Sequence, residues 1–78
     1  MIGRVKNLVS EKRFGFIECQ GTEYFFHRDD LIGFWDDLVE DFQRKRMEGI
    51  QVEFEVGHSN KGPRAANVKR LDHPNQAV

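Results

Sequence analysis

Apolar and polar positions alternate without a break along residues 50–56. Ile50, Val52, Phe54 and Val56 point one way, with Gln51, Glu53 and Glu55 opposite. That period of two is the mark of a half-buried strand. Residues 13–19 and 22–28 are two further strand-like runs, joined at Gln20-Gly21, a pair suited to a tight turn. Residues 2–9 predict a first strand. Residues 64–71 predict a last one, after the loop Asn60-Lys61-Gly62-Pro63. One segment has a different period. Phe34, Trp35, Leu38, Val39 and Phe42 recur at spacings of three and four, one apolar stripe of a helix. Asp36 and Asp37 lie near its start, and Arg44, Lys45 and Arg46 near its end. Both placements suit the helix dipole, and Gly49 comes next as a stop. Three strands, a helix and two strands predict a mainly all-β fold. It is a five-stranded antiparallel OB-type barrel with one added α-helix between strands 3 and 4. The barrel domain is expected over residues 1–72, its helical insertion over about 33–47, and a flexible tail over 73–78.

The phase of the second and third strands sets the most informative expectation. Phe14 and Phe16 share a face with Glu18, while Gly15, Ile17 and Cys19 take the other. A barrel buries one face, and Glu18 argues against burying the phenylalanine side. In the next strand Phe25 and His27 share a face with Glu23, while Tyr24 and Phe26 form the more apolar side. Ile17, Cys19, Tyr24 and Phe26 are therefore expected inside. Phe14, Phe16, Phe25 and His27 are expected in water on adjacent strands. A contiguous set of exposed rings marks a binding surface. With Lys6, Lys12, Arg28 and Lys61 around it, the surface suits unstacked bases and a phosphate backbone.

Composition narrows the choice. A chain of 78 residues holds one domain with a thin core, and little room for a deep catalytic cleft. Cys19 is the single cysteine, so no internal disulfide forms, and a cytoplasmic setting is expected. No apolar run approaches the ~20 residues that span a membrane. Net charge is −1, which by itself does not announce a nucleic-acid binder. The distribution says more. Residues 29–55 carry nine acids against three bases, a balance of −6, and the remainder nine bases against four acids, a balance of +5. His27, His58, His73 and Cys19 lack paired ligand spacing, so no metal site is expected. There is no glycine-rich phosphate loop, and Asp29-Asp30 and Asp36-Asp37 are adjacent pairs that diverge. An enzyme is not expected, nor a cofactor.

Four stretches resemble the cold-shock domain family of bacterial cold-shock proteins and Y-box domains. Lys12-Arg13-Phe14-Gly15-Phe16-Ile17 is similar to that family's first ribonucleoprotein motif, Lys-Gly-Phe-Gly-Phe-Ile. Tyr24-Phe25-Phe26-His27 is similar to its second, Val-Phe-Val-His. Gly3-Arg4-Val5-Lys6 resembles its Gly-x-Val-Lys opening, and residues 61–68 its Lys-Gly-Pro-x-Ala-x-Asn-Val. The resemblance implies a five-stranded barrel that binds single-stranded RNA or DNA with weak sequence preference, in the manner of an RNA chaperone. It implies that Phe14, Phe16, Phe25 and His27 stack bases, and that Lys6, Lys12, Lys61 and Arg64 contact the backbone.

The departures are specific. Asn7-Leu8-Val9 stands where the family has Trp-Phe-Asn, so two aromatic platforms are missing. Arg13 replaces a glycine beside the rings. Arg28 replaces a further aromatic after the histidine, and can both stack on bases and contact phosphate. The acidic helix is longer than the family's usual loop at this point. The stripe of Trp35, Leu38, Val39 and Phe42 is read as capping the barrel's open end, with Phe34 or Trp35 reaching the binding face as the sharper alternative. The competing function is a protein-interaction module that uses the helix of residues 34–46 and has little nucleic-acid affinity. With an acidic half repelling the ligand, affinity is expected to be no tighter than about micromolar, near −8 kcal/mol.

Overall fold

The computed structural model describes residues 1–44, 49–60 and 62–71, with the backbone alone for 58 and 59. The expected tail (73–78), Lys61, Lys45 and Arg46 lie outside the described residues. The elements are β1 (Ile2–Val9), β2 (Phe14–Cys19), β3 (Thr22–His27), a 3-10 turn (Arg28–Asp30), β4 (Leu31–Ile32), α1 (Trp35–Arg44), β5 (Ile50–Ser59) and β6 (Gly62–Arg70). The sheet runs β3-β2-β1-β5-β6-β4, and a β3–β6 pairing closes it on itself. Strands β1, β2, β3, β5 and β6 thus make the expected five-stranded barrel, with one short helix after β3.

Closing so small a barrel requires sharp bends, and two β-bulges supply them. Val5 pairs with Ile17 but Asn7 pairs with Phe16, so Lys6 is the extra residue. The bulge lets Val5 and Leu8, three apart, both reach the core. A second irregularity lies in β6 opposite Phe54, where Asn67 adopts φ 51°. It likewise lets Ala65 and Val68 both point inward, and both are fully buried. They join Val5, Ile17, Phe26, Ile50, Val52 and Phe54 in the core. The β2–β3 connection is the predicted two-residue turn. Gln20 and Gly21 both have positive φ, 53° and 84°, the hand that matches the twist of the strands.

The structure corrects several expectations. Leu31–Ile32 is a sixth strand, too short to carry a pattern, and it pairs parallel with β6. The β3–β6 closure, Phe25 opposite Arg64, is parallel as well, so the barrel is not antiparallel throughout. β2 begins at Phe14, because Arg13 has φ 60° and belongs to the preceding turn. β3 stops at His27, where Arg28 opens the 3-10 turn. Residues 62 and 63 are already in β6, so the expected loop is shorter. Val56 is 41% exposed and lies past the residues of β5 that pair with β1. Tyr24 is half-buried, its ring 5.1 Å from Phe54.

The described helix, Trp35–Arg44, falls within the expected 33–47 insertion, and residues 45–48 lie outside the described residues. Trp35 and Leu38 are buried, and Val39 and Phe42 pack against the same cluster. The stripe covers the barrel's end, with Trp35 6.1 Å from Phe26. An Arg70–Asp41 ion pair at 2.6 Å ties the outer flank of α1 to β6. Phe34 is not part of that stripe. Its carbonyl accepts the bond from Leu38 N–H at 3.3 Å, which places it just before the helix, and its ring is 78% exposed.

Candidate nucleic-acid interface

The two-residue turn fixes the register of β2 against β3, and the register assembles the candidate surface. Phe14 lies opposite His27, Phe16 opposite Phe25, and Glu18 opposite Glu23. Directly opposed residues of an antiparallel pair share a face. The four predicted rings are therefore together, each only half-buried, while Ile17, Cys19 and Phe26 fill the interior. Ring centroids lie 5.4 Å apart for Phe14–Phe25, 6.0 Å for Phe14–Phe16 and 6.0 Å for Phe16–Phe25. These are ordinary edge-to-face and tilted aromatic contacts. The three phenylalanines support one another in place and still present open faces.

Gly15 sits between two of these rings because nothing larger fits. A Cβ there would lie 2.5 Å from Leu8 Cδ2, 2.6 Å from the Asn7 carbonyl oxygen and 3.0 Å from Phe26 Cε1. Gly15→Ala is expected to cost about 1–3 kcal/mol of folding stability through overpacking, since the Asn7 backbone cannot swing aside. A denaturant midpoint equal to that of the unmodified chain would refute the expectation.

His27 is held by the 3-10 turn directly after it. Its Nδ1 accepts from Asp29 N–H at 3.2 Å, so the hydrogen of the neutral ring is on Nε2. Its own backbone N–H donates to Asp30 Oδ2 at 2.9 Å. The charges around the rings fall into two groups. At one end lie Lys12, Arg13 and Arg28, in the turns that flank Phe14 and His27. Arg28 N–H donates to the Arg13 carbonyl at 2.8 Å, which ties those turns together. At the other end Glu18 and Glu23 face each other, and Lys6 Nζ contacts Glu23 Oε2 at 2.6 Å. The Glu23 hydrogen bond and charge raise the Lys6 pKa above its usual value.

Of the residues expected from sequence, Phe14, Phe16, Phe25, His27, Lys12 and Arg28 are brought to one side. Lys6 is there too, but engaged by Glu23. Arg64 borders Phe25 and is engaged by Asp30 at 2.9 Å. Lys61 lies outside the described residues. The pairing of Arg64 with Asp30, 34 positions apart, carries no local signal in the sequence. Sequence reasoning put Phe34 first in the helix stripe. Phe34 instead lines an open groove of about 460 Å³ with Arg13, Arg28 and Trp35, beyond His27. Among the described residues, no group of three or more His, Cys, Asp or Glu converges as metal ligands would. No helix among them is long and apolar enough to cross a membrane.

Comparison with known proteins agrees with this geometry. The family model of the "Cold-shock" DNA-binding domain matches residues 1–71. Cold shock-like protein CspB of Bacillus cereus is 38% identical over 71 residues, covering 91% of this chain and all of the relative. Cold shock protein CspD of Bacillus subtilis (strain 168) is 38% identical over 69 residues, 88% of this chain and 96% of the relative. Cold shock protein CspA of Staphylococcus aureus (strain USA300) is 39% identical over 69 residues, with the same coverage. With its barrel, both aromatic motifs and these relatives, the chain belongs to the cold-shock domain family of nucleic-acid-binding proteins.

Proposed function

We propose that this protein binds single-stranded RNA or DNA by stacking bases on Phe14, Phe16, Phe25 and His27, with weak sequence preference, and acts as an RNA chaperone. The observation that carries the reading is the cluster of three mutually touching, half-exposed phenylalanines on β2 and β3. Such a surface costs free energy in water unless something covers it, and a base offers a flat apolar face of the right size. Lys12 and Arg28, with Lys61, serve the phosphates, and Lys6 does so once it leaves Glu23. Holding bases unpaired favours open over folded RNA by mass action, which is all that chaperone-like melting requires. The reading includes a cytoplasmic setting, to which the one cysteine, Cys19, buried and unpaired, gives support. The apolar stripe of α1 is spent on the barrel, so it favours no protein partner there.

The test is a titration of fluorescently labelled oligo-dT and oligo-U at increasing salt. For a single strand the logarithm of the binding constant falls by about 0.7 per neutralised phosphate for each decade of salt. With three cations engaged, affinity is expected to drop roughly 10–20-fold between 50 and 200 mM salt. No saturation at high micromolar protein, or binding indifferent to salt, would sink the reading.

A further inference from the structure

We propose that Arg64 reads a base rather than a phosphate, that the base is guanine, and that Asp30 is the positioning residue that sets Arg64 for this. The inference rests on the stacking reading above. Arg64 lies directly opposite Phe25 where β3 meets β6, and its guanidinium carbon is 5.9 Å from the centre of that ring. Its Nε and Nη2 both donate to Asp30 Oδ2, at 3.2 and 2.9 Å. The Asp30 side chain is only 14% exposed and also accepts the His27 backbone N–H. One carboxylate therefore fixes the guanidinium beside Phe25 and anchors the end of the strand that carries His27.

A ligand meets two effects of this arrangement. First, the carboxylate neutralises the guanidinium's charge at close range, so Arg64 attracts a phosphate poorly. Its directional donors survive. Nη1 and the outer hydrogen of Nη2 form a second fork with no protein partner among the described residues. Second, the fork lies against the platform. On this proposal, a base resting on the open part of Phe25 brings its edge to those donors, since the guanidinium carbon lies 5.9 Å from the ring's centre. A fork of two N–H groups matches two acceptors on one base edge, and guanine O6 and N7 form such a pair. Thymine in the same seat offers O4 flanked by a methyl group. The preference acts at one stacking position only, so it coexists with weak discrimination along the rest of a strand.

The experiment uses the whole chain and a set of seven-nucleotide DNA strands: all-dT, and dT strands with a single dG walked through successive positions. Strands with dA or dC at those positions, and with 7-deazaguanine in place of dG, complete the set. The unmodified protein is expected to bind the best-placed dG strand roughly tenfold tighter than all-dT. The 7-deazaguanine strand, which lacks the N7 acceptor, should lose most of that advantage without any change to the protein. Arg64→Lys keeps the charge and removes the fork, so the dG-to-dT ratio should fall to about one. Asp30→Asn should lower the ratio in part, because the fork loses its charged clamp. A ratio near one in the unmodified protein, a stronger preference for dA or dC, or an unchanged ratio in Arg64→Lys overturns the proposal. In the last case Arg64 is a phosphate contact that weakens all strands alike. Binding to all-dT with no dG preference overturns this inference alone, whereas absence of binding to every strand overturns the stacking reading with it.

Discussion

Replacing Phe14 and Phe25 together by alanine is expected to weaken binding of single-stranded oligo-dT by about a hundredfold or more. Each base stacked on an aromatic side chain contributes about 1–3 kcal/mol by alanine substitution. Two independent stacks would give about 2–6 kcal/mol on that scale, but these two are not independent. Their centroids are 5.4 Å apart, so losing one ring also removes the support that holds the other. Coupled neighbours of this kind depart from additivity, which makes the double variant more informative than either single. The barrel itself should survive, because both rings are half-exposed and the fully buried residues of β2 and β3 are Ile17 and Phe26. The measurement is a fluorescence titration at low salt, with circular dichroism confirming the fold of the variant. A folded double variant that still binds within about twofold of the unmodified chain would move the site off this face, since the magnitude expected per base is far larger.

The surface that this experiment probes was legible in the sequence for a local reason. Phe14 and Phe16, like Phe25 and His27, are fixed on one face by alternation alone. The turn at Gln20-Gly21 then leaves a single register, which brings the two pairs together. Each step spans only a few residues. The illegible part depends on closure of the barrel or on deviations from regular period. The Lys6 bulge changes the phase of β1 midway, and the Asn67 bulge does the same in β6, so neither strand alternates from end to end. The environment of Arg64 is set by Asp30, far away in the chain and brought close by the β3–β6 pairing. Lys6 likewise meets the carboxylate of Glu23, which stands two strands away in the same sheet. Phe34 fitted the helical spacing and still fell outside the helix. Periodicity fixes which residues suit one face, while the capping geometry decides where the helix begins.

Leu38→Ala is expected to remove about 2–5 kcal/mol of folding stability, the usual range for emptying a buried leucine site. A small domain has only about 5–15 kcal/mol in total, and with 78 residues this one belongs at the lower end. The substitution should therefore leave the chain close to its unfolding midpoint at ambient temperature. The argument turns on what the helix covers. Leu38 is fully buried and belongs to the same cluster as Phe26, Ile17 and Val52, so α1 closes the barrel's core rather than lying on it. The Asp41–Arg70 pair and the Trp35–Phe26 contact flank the leucine, which limits how far the helix can settle into the gap. Phe34→Ala is the counterpart from the exposed end of the same segment, and should shift stability by no more than about 0.5 kcal/mol. Urea unfolding followed by circular dichroism measures both, with the slope of each transition checked against the unmodified chain. Equal midpoints for Leu38→Ala and the unmodified chain would mean that the helix contributes nothing to the barrel, and its apolar stripe would then be free for a partner protein. A large loss in Leu38→Ala, with oligonucleotide affinity retained wherever the variant remains folded, assigns the acidic helix to the architecture and leaves recognition to the aromatic face of β2 and β3.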